Sequence, residues 1–80
     1  MYYSYILQLR DGSYYVGSTG NLAERLKIHN EGMVSSTKRK LPATLIHREP
    51  YPDRRAAQSR EYQIKKWKSR GAIERLIKNK

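Results

Sequence analysis

The sequence predicts an α/β chain of the α+β kind, with its elements in the order β-β-α-β-α-α. Three observations carry that prediction. Tyr2 to Leu9 alternates, with Tyr3, Tyr5, Leu7 and Leu9 on one face and Tyr2, Ser4, Ile6 and Gln8 on the other, the period-two pattern of a strand. Asn21 to Asn30 carries its apolar residues at helical spacing between an asparagine cap and a glycine stop. A second helical stripe begins after Asp53.

Taken in order, the first strand ends at Arg10-Asp11-Gly12, which reads as a turn into a second strand, Ser13 to Ser18. Two loops fit. A two-residue Asp11-Gly12 loop pairs Leu7 with Val16 and sends Tyr5 and Tyr15 to opposite faces, because a shift of one residue inverts every side chain. A three-residue loop, with Gly12 left-handed as a bulge, pairs Leu9 with Ser13 and Leu7 with Tyr15, and both tyrosines share a face. In the helix that follows, Asn21 is the cap, Glu24 completes a capping-box-like pair and Gly32 supplies the stop. Leu22, Leu26 and His29 fall on one face, with Arg25 on its edge. A guanidinium turned along the core-facing stripe needs an internal carboxylate or a bound anion, since burying it unpaired is costly.

Met33 to Pro42 has no period and reads as a loop whose Ser35, Ser36, Thr37, Lys38, Arg39 and Lys40 suit phosphate or plain solvent. Ala43 to Tyr51 is the third strand, ended by Pro50 and Pro52, and His47 within it is expected to be structural or superficial. Asp53 caps a long helix running to about Ser69, with Ala56, Ala57, Ile64 and Trp67 as its apolar stripe and Glu61 beside them. Gly71 is expected to break the chain before a last short helix faced by Ile73, Leu76 and Ile77, then a Lys-rich tail.

The bulk numbers bound the function. With 80 residues and 38% hydrophobic content, one domain over 1–80 is expected, with a shallow groove in place of a large enclosed cavity. The absence of cysteine excludes disulfides and thiolate zinc sites. No long apolar run or signal pattern is visible, so a soluble cytoplasmic protein without a membrane is expected. The net charge is +10, and residues 53–80 hold ten basic side chains against three acidic ones. A polyanionic partner follows, and nucleic acid is the common one.

The polar groups that periodicity turns inward are Tyr5, Tyr15, Arg25, His29 and Glu61. A plain structural account pairs Glu61 with Arg25. Phosphodiester hydrolysis uses the same mixture: a base for water, a metal-binding carboxylate and a cation for the phosphate. Glu61 suits a hard divalent ion such as magnesium, which keeps most of its waters. Arg25 suits the phosphate, His29 or Tyr15 the base, and Tyr5 the placing of the water.

Tyr3-Ser4-Tyr5, Tyr15-Val16-Gly17, Arg25 ten residues after Tyr15, His29 four further on and Glu61 within Arg60-Glu61-Tyr62-Gln63-Ile64-Lys65-Lys66 resemble the GIY-YIG nuclease domain. The resemblance spans nearly the whole chain and is closest to small free-standing bacterial members. The family also includes homing endonucleases, some restriction enzymes and the N-terminal nuclease of the bacterial excision-repair incision protein. The resemblance implies a three-stranded antiparallel sheet flanked by helices. It further implies an endonuclease using Mg2+ or Mn2+, acting on DNA in preference to RNA in a DNA-repair setting. By it, Tyr15 resembles the general base, Arg25 the phosphate-stabilising arginine and Glu61 the metal-binding carboxylate. His29 stands where members carry Tyr or His. The two tyrosines lie together in the family site, which selects the three-residue loop here. Tyr3 and Ser4 replace the Gly and Ile of the first motif, and Ser18 stands where some members have Lys.

Lys38, Arg39, Lys40, Lys65 and Lys68 are the expected nucleic-acid contacts. The aromatic residues look committed to strands and core, which leaves backbone contacts without a base-stacking platform and favours structure-selective or nonspecific action. The alternative is a non-catalytic nucleic-acid-binding module of the same fold. A lone metal-binding carboxylate in so basic a chain favours the enzyme.

Overall fold

The computed structural model describes residues 1–78. Its elements are β1 (Tyr2–Gln8), β2 (Tyr14–Thr19), α1 (Leu22–Asn30), β3 (Thr44–Tyr51), α2 (Arg54–Trp67) and α3 (Arg70–Lys78). The element order β-β-α-β-α-α and the three-stranded antiparallel sheet are as expected, and the strands lie in the spatial order β2-β1-β3. Asn79 and Lys80 of the Lys-rich tail lie outside the described residues.

The hairpin takes the three-residue loop. Leu7 pairs with Tyr15 and Tyr5 with Gly17, and the Leu9 amide donates to the Ser13 carbonyl at 2.8 Å. Gly12 has φ +86, a conformation that excludes most side chains. On β3 the register shifts between Ile6 and Leu7, so Ile6 faces His47 while Leu7 faces Leu45. Strand β3 runs through Pro50 to Tyr51, the end expected for it. As an edge strand it tolerates the missing amide.

Each face of the sheet has its own core. One gathers Tyr5, Leu7, Leu9 and Ala43, with Tyr15 of β2 and Leu22 and Leu26 of α1 packed on them. The other gathers Ile6, Val16 and Ile64, covered by Trp67 of α2 and by Ile73 and Leu76 of α3. Alternation along β1 is what feeds both cores at once.

The helix ends follow local chemistry. The Asn21 side chain accepts from the Glu24 amide at 3.1 Å. Glu24, however, meets the Asn21 side-chain amide at 3.4 Å, because the Asn21 backbone amide is taken by Thr19 Oγ1. Asp53 caps α2 through the Ala56 amide at 2.8 Å. The break after α2 falls earlier than expected: Lys68 is left-handed, with φ 48, and the Ser69 hydroxyl accepts from the Ala72 amide. Gly71 therefore lies inside the first turn of α3. A side-chain cap at Ser69 defines that start more strongly than glycine's low helix propensity opposes it.

Candidate active site

Strand β2 is an edge strand, and the candidate groups reach its outer rim from both faces of the sheet. On the α1 side lie Tyr5, Tyr15 and His29. The ring centroids of Tyr5 and Tyr15 are 6.4 Å apart, and His29 stands edge-on to Tyr15 at 4.7 Å. Tyr5 donates to or accepts from His29 Nε2 at 3.2 Å. A Cβ at Gly17 would sit 2.5 Å from the Tyr5 hydroxyl, so only glycine lets that phenol cross β2 toward the rim.

His29 is fully buried, and its other nitrogen meets Thr37 Oγ1 at 3.0 Å. Thr37, also fully buried, has the Val34 carbonyl as an acceptor at 3.4 Å. A hydroxyl has one proton. Given to Val34, it leaves Oγ1 to accept from His29 Nδ1–H, and Nε2 then receives the Tyr5 proton. That arrangement satisfies all three groups. Burial, then the nearby Arg25 cation, pushes the His29 pKa down, so the ring is neutral and rigidly held. Burial, reinforced by Tyr15, drives the Tyr5 pKa well up; Arg25 opposes this shift and Glu61 adds to it. Both charges therefore lie within electrostatic reach of the phenol.

Arg25 differs from expectation. It is exposed and, among the described residues, has no ion pair with Glu61, whose carboxylate is engaged elsewhere. The helical turn places it just beyond the buried arc occupied by His29. Its guanidinium instead lines a groove of about 130 Å3 with Tyr2, Ser18, Arg54 and Gln58.

Glu61 enters from the opposite face on α2. Ser18 Oγ donates to it at 2.7 Å and Lys65 Nζ at 2.6 Å. The Glu61 side chain is 20% exposed and the Lys65 side chain 52%. Ser18 thus does not supply a cation, but it orients the carboxylate. No three His, Asp or Glu side chains cluster as a metal cage among the described residues. A single oriented carboxylate with a hydroxyl beside it fits a hard divalent ion that retains its waters, and it does not fit one needing several protein ligands.

The same face holds a second carboxylate. Ser18, Ser4 and Glu49 lie in register straight across the sheet. Glu61 sits over the β2 end of this row, and its neighbour Arg60 reaches the β3 end, donating to Glu49 at 2.8 and 3.3 Å. His47 Nε2 and the Tyr51 hydroxyl complete the shell, each at 2.8 Å. Burial works against the charge on Glu49, but the bonds from Arg60, His47 and Tyr51 prevail and hold its pKa at about 2. His47 is buried and structural.

The basic residues divide. Lys38, Arg39 and Lys40 are exposed beside the hairpin turn, where Lys40 meets Asp11 at 3.4 Å and its carbonyl accepts from the Arg10 amide. That is the end of the sheet away from Ser18. Lys68 is exposed at the end of α2, and Lys65 is tied to Glu61. Sequence reasoning missed Thr37, Ser18 as the partner of Glu61, Arg54, and the exposure of Tyr62, whose residue is 70% accessible. The expectation that all aromatics are committed to strands and core is therefore corrected. The Arg60-Glu61-Tyr62 run carried a partial signal, because a helix cannot bury three consecutive side chains on one face.

Comparison with known proteins agrees with this geometry. The family model described as the GIY-YIG catalytic domain matches residues 1–76. A UPF0213 protein of Bacillus licheniformis is 42% identical over 80 residues, covering 99% of this chain and 81% of the relative. One from Clostridium perfringens is 46% identical over 67 residues, covering 82% and 72%. The solution NMR structure of a UPF0213 protein from Bacillus halodurans superposes with a TM-score of 0.65 at 34% identity, covering 100% of this chain and 86% of that one.

Proposed function

Because the chain belongs to the GIY-YIG family, a family of nucleases, we propose that it is a divalent-metal-dependent endonuclease that hydrolyses phosphodiester bonds, in DNA in preference to RNA. The observation that carries this reading is Glu61: a largely buried carboxylate oriented by Ser18, whose only cationic partner among the described residues is a half-exposed lysine. A structural glutamate in the same fold, Glu49, has a full shell of fixed donors. Glu61 has room for a ligand.

In this reading Glu61, with Ser18 beside it, would hold Mg2+ or Mn2+. The bound ion supplies charge neutralisation at the phosphate and the departing oxygen. Arg25, which pairs with no carboxylate among the described residues, meets the non-bridging oxygens as charge gathers on them. Tyr15, half-buried beside His29, passes its phenol proton to solvent as it takes the proton of the attacking water. His29 is unsuited to that step itself, since it is fully buried with both nitrogens engaged. Its part is to anchor Tyr5, which positions the water. Water oxygen bonds to phosphorus as one P–O ester bond breaks, and the departing oxygen takes a proton from solvent.

The test is cleavage of labelled single-stranded, duplex and branched DNA with magnesium, manganese or chelator, beside Glu61→Gln purified identically. Metal-dependent cutting that disappears in the variant supports the reading. Salt-sensitive binding by both proteins without cutting on any substrate overturns it in favour of a binding module.

A further inference from the structure

Tyr62 follows Glu61 on α2 and is the most exposed aromatic of the described residues, at 70%. A solitary exposed aromatic is ordinary on a protein surface. Its surroundings are what distinguish it. Tyr62 lies in an open groove walled by Arg55, Gln58, Ser59, Glu61, Gln63 and Lys66. On the helix, Gln58 and Lys66 stand four residues to either side of it and Arg55 seven before, so a stripe about 16 Å long runs from one cation to another with the ring between them. Gln58 also walls the groove that holds Arg25 and Arg54. The groove of the proposed phosphate site and the groove of Tyr62 therefore share Gln58 as a wall, and Glu61 lines the second beside the ring.

The chemistry of that stripe selects its occupant. A protein partner needs contiguous apolar surface at the centre of its footprint, and here a single ring is bordered by two cations, two amides, a hydroxyl and the Glu61 carboxylate proposed to hold the metal. A nucleotide strand needs an aromatic face for a base and cations for the adjoining phosphates. We propose that Tyr62 is a stacking platform for an unpaired base next to the scissile phosphate, so that the chain acts on phosphodiester bonds flanked by unpaired nucleotides. In a duplex, neighbouring bases cover both faces of each base, and a ring on a helix surface does not reach them. The proposal rests on the nuclease reading and narrows its substrate to single strands, flaps and branch points.

The experiment measures binding in chelator, so that it stands apart from cutting. Fluorescence anisotropy is followed with a labelled single-stranded oligothymidylate, an abasic strand with the same number of phosphates, and a duplex. Tyr62→Ala should weaken the thymidylate complex roughly tenfold while leaving the abasic strand and the duplex unchanged, since a stacked base contributes ~1–3 kcal/mol. Tyr62→Phe and Tyr62→Trp should bind thymidylate like the wild type, because stacking needs the ring and not the hydroxyl. Lys66→Ala should weaken all three complexes and lower the salt slope by about one.

Equal affinity of Tyr62→Ala and wild type for thymidylate overturns the proposal, and so does a loss shared by the abasic strand. A wild-type dimer that Tyr62→Ala splits, seen by sedimentation, also overturns it, since the ring would then serve contact between copies. The metal-dependent cleavage assay reports separately on the nuclease reading. Absence of cutting with stacking intact removes that reading and keeps the platform.

Discussion

Glu49 and Glu61 face the same side of the sheet over the two ends of one cross-strand row, and they do different work. Glu49 accepts four hydrogen bonds, two from Arg60 and one each from His47 and Tyr51, and stays ionised to about pH 2. Glu61 accepts one from a serine and one from a half-exposed lysine. A carboxylate surrounded by fixed donors is structural, since any ligand must displace good partners to reach it. One held by a hydroxyl and a half-exposed ammonium is oriented but available. Partner number and rigidity separate the two, where residue type and burial do not: their side chains are 19% and 20% exposed.

Neutralising each glutamate in turn tests that contrast most strongly. Glu61→Gln should reduce metal-dependent cleavage roughly a thousandfold while leaving the melting temperature within a degree or two of wild type. Glu49→Gln should do the reverse: near-normal cleavage at low temperature, with stability lowered by about 2 kcal/mol because Arg60 loses its ionic partner. In a chain this size that is a fall of roughly 10 °C in a thermal melt. If Glu49→Gln melts like wild type, the division is wrong.

Acid sharpens the comparison. Because the folded-state pKa of Glu49 lies near 2 against a reference of 4.5, the unfolded chain binds that proton more readily. The stabilisation is complete above about pH 4.5 and is lost as pH falls toward 2. Denaturant melts across that window should show the wild type weakening, and Glu49→Gln should show a shallower slope. Asp11, also lowered to about 2 through the Ser13 hydroxyl and amide, adds to the acid dependence in the same sense, weakly because solvent screens so exposed a group. The smallest effect concerns Lys65. Its exposed i,i+4 pair with Glu61 competes with a metal for the carboxylate by only ~0.3–0.5 kcal/mol. Lys65→Ala should tighten Mn2+ binding roughly twofold by calorimetry.

Much of this architecture is legible in the sequence where a short-range rule decides. Alternation along Tyr2–Gln8 gives both cores, and Gly12 in a three-residue loop sets the register that brings Tyr5 and Tyr15 to one face. Asn21 and Asp53 mark helix starts because a cap is a contact within a few residues. What escapes is decided at longer range or by small angles. Helical periodicity does not separate a buried His29 from an exposed Arg25 four residues before it, since the edge of a helix face is set by what packs against it. Thr37 sits in a stretch with no period, among hydroxyls that read as solvent-facing, yet its oxygen fixes His29. The Glu49–Arg60 pair joins a strand to a helix eleven residues on, and its seating depends on the register shift in β3. Tyr62 was hidden by an average: aromatic residues are usually inside, and this one is not.

Arg60 and Glu61 are adjacent in the chain and reach opposite rims of the sheet. In evolutionary terms this uncouples what a lineage can lose from what it must keep. A descendant retired to binding can discard Glu61 with the scaffold intact, whereas replacing Arg60 strands Glu49 among partners built for a charge pair. Homologues that retain the arginine and lack the following carboxylate are therefore expected to be folded and basic, and, if the proposed function holds, unable to cut.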